Sequence, residues 1–150
     1  MATAASNFLE TLTATQKKET VFSFDNDERY NWHYIPKDRR GITFNEMNEQ
    51  QHKAALALLR SALSETAYNK ANAIIQLENV LREVESRPAN DTYRDPGNYH
   101  FSFFGDPATD LTWGWRLEGH HISLNFSSEN NKIVSGTPGF LGSNPAIVLA

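Results

Sequence analysis

Three observations predict an α+β fold: a mainly antiparallel sheet with an αα-hairpin and short N-terminal helices packed on it. Between residues 43 and 86, apolar side chains recur at helical spacing in two capped stretches. Between residues 99 and 137 they alternate with polar ones, which is the period of a strand. Gly, Pro, Asn and Asp separate these segments where a chain must turn.

The elements follow in order. Residues 4–12 predict a short helix with Phe8, Leu9 and Leu12 on one side, and Thr13 is the N-cap of a second helix through Val21. Phe22 and Phe24 lead into Asp25-Asn26-Asp27-Glu28-Arg29, a charged turn without the ligand pattern of a calcium loop. Tyr30 to Ile35 alternates and is aromatic, so it predicts a strand ended by Pro36, with His33 and Asn31 on one face. Lys37-Asp38-Arg39-Arg40-Gly41 is a basic loop, either solvated or suited to carboxylates and phosphates. Thr43 and Glu46 form a capping box for a helix running to about Leu63; on it His52 lies among polar residues. Ser64 caps a second helix to about Ser86, with Tyr68, Ala71, Ile74, Ile75, Leu81 and Val84 on its apolar side, and Pro88 stops it. Two helices joined at one capped residue make the αα-hairpin.

After a turn-rich loop to Asn98, residues 99–104 form a strand with Tyr99, Phe101 and Phe103 on one side and His100 and Ser102 on the other. The densest chemistry follows in Trp113-Gly-Trp-Arg-Leu-Glu-Gly-His-His-Ile-Ser-Leu-Asn-Phe126. Trp113, Trp115 and Leu117 share one face, and Arg116 and Glu118 the other; past Gly119 the phase inverts. An extra residue at Gly119-His120 repairs the pattern, as a β-bulge or as a tight turn. The bulge reading places Arg116, Glu118, His121, Ser123 and Asn125 in one polar stripe, with His120 at the bulge and His100 facing His121. Residues 128–131 turn the chain, 132–137 return as a strand, and 138–145 form an irregular ribbon. The final Ala146-Ile-Val-Leu-Ala150 is apolar, which predicts packing on the sheet, on a second copy as a homodimer, or on a missing C-terminal half.

Composition bounds the function. The 150 residues predict one domain over 1–150, standing alone or as the N-terminal part of a longer one. A net charge of −4 argues against nucleic acid. The chain has no cysteine, so disulfides, thiolate metal sites and cysteine nucleophiles are excluded. The start carries no signal peptide, and no run approaches the ~20 apolar residues of a membrane span. A cytoplasmic setting and no membrane partner are the corresponding expectations. There is no Gly-x-Ser-x-Gly elbow, phosphate loop or Gly-x-Gly-x-x-Gly.

Trp32-His33-Tyr34-Ile35-Pro36, Arg40-Gly41, the helix pair, Phe104-Gly105-Asp106-Pro107, Trp113-Gly114-Trp115-Arg116, Glu118-Gly119-His120-His121-Ile122-Ser123-Leu124-Asn125 and Thr137-Pro138-Gly139-Phe140-Leu141-Gly142 together resemble the domain-of-unknown-function 3500 family. The resemblance covers nearly the whole chain and supplies no reaction. It implies longer members whose second half carries a His-x-His element, natural company for His120-His121 in a metal site. This sequence has no such element.

Three readings follow. The first is a metal-dependent enzyme or its N-terminal half: His121, His120 and His100 as ligands to a divalent zinc, iron or copper ion, with His33 in reserve. In it Glu118 acts as ligand or acid/base, and Arg116 orients a small anionic substrate. The spacing matches no established zinc signature, and taken alone it favours a surface Arg116–Glu118 ion pair with structural histidines. The second is a non-catalytic small-molecule binding module, and the third a structural half-domain that assembles through its C-terminal strand.

Overall fold

The computed structural model describes residues 1–147. Helix α1 (Ala2–Thr11) leads to α2 (Ala14–Thr20), where Thr13 and Gln16 form a full capping box. Strands β1 (Val21–Phe22) and β2 (Ile42–Thr43) flank a long excursion. Helices α3 (Glu49–Ala62) and α4 (Glu65–Val84) form the predicted hairpin, with the Ser64 hydroxyl accepting from Ala67 N at 3.2 Å. Strands β3 (His100–Phe104), β4 (Thr112–Gly119), β5 (Ile122–Glu129), β6 (Lys132–Ser135) and β7 (Gly139–Leu141) complete the chain.

The sheet order is β1-β3-β4-β5-β6, with β2 sharing the outer edge of β3 with β1, and β7 sharing that of β5 with β6. All pairs are antiparallel except β1 with β3. The fold is therefore α+β, with helices packed on a mostly antiparallel sheet.

One sheet face carries Phe101, Phe103, Trp113, Trp115, Leu117, Ile122, Leu124 and Phe126, all buried. Phe8 of α1 packs on Phe101 and Phe103 at ring-centroid distances of 5.6 and 5.8 Å, and Trp115 stacks on Phe126 at 4.8 Å. The opposite face carries His100, Ser102, Arg116 and Glu118, and the 23–41 excursion covers it through hydrogen bonds to Ser102, Arg116 and Glu118. The central strands β3 and β4 are thus buried on both sides, one apolar and one ionic.

Four expectations are corrected. Gly119-His120 is no bulge: Gly119 pairs with Ile122, and His120-His121 is the two-residue turn of a β4–β5 hairpin. His121, the second residue of the turn, takes φ 57°, in the left-handed region. The division of Trp113–Phe126 into an apolar and a polar face survives, because a two-residue turn shifts phase as a bulge does, but His121 leaves the stripe for the tip. Residues 30–35 form no strand: a 3-10 turn spans Asp27–Tyr30, and the chain then runs irregularly. The Thr43–Glu46 box closes only a 3-10 turn (Phe44–Glu46), while a second box, Asn48 with Gln51, starts α3. The basic loop is not simply solvated, since the Arg39 side chain is 4% exposed. Of the C-terminal apolar run, Val148–Ala150 lie outside the described residues.

Candidate functional site

Two polar clusters meet at the sheet end formed by the start of β3 and the β4–β5 turn. The first is ionic. Glu118 Oε1 accepts from Arg39 Nε at 2.5 Å, and Arg116 Nε lies 3.1 Å from Glu118 Oε2 without directing its proton at it. Arg116 also donates to the carboxylate and carbonyl of Glu28, at 2.7 and 3.0 Å. Arg39 donates to the carbonyls of His33, Ile35, Lys37 and Gly119. Glu118 and Arg116 are 1% and 2% exposed. They therefore form a buried network, not a surface pair, and it fastens the 28–39 excursion to the sheet. Neither is among the residues lining the cleft beside His120.

The second cluster surrounds His120. Its Nδ1 makes a very short contact with a Glu78 carboxylate oxygen. A carboxylate only accepts, so the Nδ1 proton is assigned to this bond. In the neutral imidazole Nε2 then carries the lone pair; it has no protein hydrogen-bond partner among the described residues and is not sealed from solvent. The backbone is fixed as well. Tyr99 Oη donates to the His120 carbonyl at 2.9 Å, and burial raises its phenol pKa well above the ordinary value. His121 N donates to the Tyr34 carbonyl at 2.7 Å, and Gly142 N donates to the His121 carbonyl at 2.9 Å.

Beside this pair lies a cleft of about 620 Å³, lined among others by Lys37, Arg39, Glu78, Asp95, Tyr99, His100 and His120. Such a volume suits a small molecule. Lys37 makes no ion pair among the described residues, so it is the cation free to meet an anionic ligand there.

The predicted histidines separate by role. His100 pairs across strands with Glu118, lines the cleft, and is held below its usual pKa by burial and then by Arg39; its Nδ1 is buried and unpaired. His121 is likewise depressed, by burial and then by His120, and its Nδ1 is also buried and unpaired. The His120 and His121 rings stand edge to face at 4.4 Å. Among the described residues, no three His, Asp or Glu side chains converge as a metal-ligand set. His33 bonds Asn31 at an exposed position.

Sequence reasoning missed Glu78 and Arg94, and named Arg39 only as part of a basic loop suited to carboxylates. Glu78 carried one signal: it stands on the apolar stripe of α4, one turn beyond Ile74, where a charge is out of place unless paired. Arg94, in a turn-rich loop, carried none.

Fold and site together define a small α+β domain with a buried carboxylate–histidine pair opening on a polar cleft. The chain belongs to the DUF3500 family, described as proteins of unknown function, whose profile matches residues 1–150. No curated protein and no solved structure matches the chain. No helix among the described residues is long and apolar enough to cross a membrane.

Proposed function

We propose that the cleft is an acid–base site acting on a small polar substrate, with His120 Nε2 as the atom that moves the proton. The observation that carries this reading is the Glu78 carboxylate on His120 Nδ1. It fixes the tautomer, orients the ring and stabilises the imidazolium formed when Nε2 takes a proton. Glu78 is 3% exposed, so this support sits in a poorly screened setting. Lys37 would meet an anionic group of the substrate.

Carbethoxylation by diethyl pyrocarbonate, mapped by mass spectrometry, tests the claim. His120 is expected to react at Nε2 in the folded protein, and Glu78→Gln should slow it about tenfold, as losing an orienting partner does. An unreactive His120, or a rate indifferent to Glu78→Gln, would contradict it.

The same geometry favours a second reading, a divalent zinc, iron or copper ion on His120 Nε2, because metal-bound histidines keep a carboxylate on the other nitrogen. Glu78 then orients and does not ligate, and further ligands must come from substrate, water or another polypeptide segment. Elemental mass spectrometry of tag-free protein beside His120→Ala separates the two: near-stoichiometric metal, lost in the variant, supports the metal reading.

A further inference from the structure

The loop after α4 ends in a guanidinium held from every side. Arg94 N donates to Asp91 Oδ2 at 3.0 Å. Its carbonyl accepts from Arg82 Nε and Nη2 at 3.0 and 2.5 Å. Its own Nε and Nη2 form a fork on Glu85, the closest bond being 2.6 Å. The ring of Tyr93 lies against it, 4.7 Å from the guanidinium carbon. Backbone and side chain are therefore both fixed, and Arg94 is 8% exposed despite lying in a loop.

One nitrogen remains, and the fork aims it at the site. Nη1 lies 3.8 Å from Glu78 Oε2 and 3.4 Å from His120 Nδ1. With the Nδ1 proton given to Glu78, Nη1 faces a donor and makes no hydrogen bond to the ring. Its productive partner is the second oxygen of Glu78, whose first oxygen holds His120. The groups form one series, Glu85 to Arg94 to Glu78 to His120, running from an exposed helix end to the wall of the cleft.

We propose that Arg94 is a positioning residue that holds the Glu78 carboxylate in the orientation locking His120. The proposal rests on the acid–base reading of His120. Without the fork, Glu78 is free to rotate about its side chain and leave Nδ1. With it, one Glu78 oxygen is held by His120 and the other faces a cation at 3.8 Å, so a residue 26 positions from His120 biases its ring orientation.

The test is the carbethoxylation rate of His120 in folded variants of the whole chain. Arg94→Gln is expected to slow it towards the Glu78→Gln rate, about tenfold below the unmodified protein. The double variant should be no slower than Glu78→Gln alone, the non-additivity of groups acting through one another. Arg94→Lys should not restore the rate, because an ammonium cannot fork on Glu85 and reach Glu78 together. A purely structural Arg94 would leave the rate of any folded variant unchanged. A purely electrostatic one would raise the rate, since removing a cation makes the ring a better nucleophile; either result overturns the proposal.

Should Arg94→Gln fail to fold, Glu85→Gln decides the matter: it releases the fork from its exposed end and keeps the Asp91 and Arg82 anchors. A slowed His120 then supports the proposal and an unchanged one overturns it. If Glu78→Gln itself has no effect, the acid–base reading has failed first, and Arg94 has nothing to position.

Discussion

Glu118 stands between two arginines in a place water does not reach. Removing its carboxylate leaves Arg39 and Arg116 buried against each other. Breaking a buried pair from one side is costly, so Glu118→Ala should lower unfolding free energy by about 3–5 kcal/mol, read by urea denaturation. A loss near zero would place the pair in solvent. The same reasoning applies to His121, which must hold φ 57°. Asparagine tolerates that conformation, whereas a β-branched residue there costs about 1–2 kcal/mol, so His121→Val should be less stable than His121→Asn by that amount. Equal melting temperatures would mean that the turn relaxes.

At the scale of elements, what the sequence revealed depended on how local each cause was. Caps and stripes act within one turn of chain, so α2, α4, β3 and the two faces of Trp113–Phe126 could be read directly, while the turn dividing β4 from β5 was read as a bulge. The start of α3 was misplaced because two capping boxes, Thr43–Glu46 and Asn48–Gln51, lie five residues apart and both are real. The 30–35 stretch alternates like a strand but has no ladder partner among the described residues. Its carbonyls at His33 and Ile35 are taken by Arg39, a side-chain bond no periodicity announces.

The candidate site was half readable for the same reason. The Gly-His-His turn drew attention by its density of functional groups. Glu78 and Arg94, 42 and 26 residues before His120, reach it only through the packing of α4 and its loop on the hairpin tip. Stability across pH should follow these contacts. His100 and His121 are both held below their ordinary pKa, chiefly by burial, so the unfolded chain binds more protons than the native one. Their contribution is present above about pH 6.5 and is lost as pH falls through their depressed values. Melting temperature should therefore decline from pH 7.5 to pH 5, and the decline should shrink in His100→Gln. The Arg94–Glu85 link plays no part in that window, because Arg94 first and Arg87 second hold the Glu85 carboxyl at about 2. A flat profile would show that both rings find solvent in the native state.

For the whole molecule, the sheet separates two tasks. Its apolar face carries the helices and the core. Its ionic face fastens a long excursion whose far end, residues 36–39, forms one lip of the cleft. The other lip is the 92–99 loop, and α4 supplies Glu78 from beneath. All three converge on the β4–β5 turn, so His120 is the point where the layers meet. In the proposed site this imidazole is locked with its proton on Nδ1 and its lone pair towards the cleft. Nitrogen-15 NMR of the His120 ring, in the unmodified protein and in Glu78→Gln, tests it most directly. In the neutral ring the expected signals are a protonated Nδ1 and a bare Nε2, with the two tautomers mixing once the carboxylate is gone. A proton on Nε2, or a ring unchanged by Glu78→Gln, would contradict it.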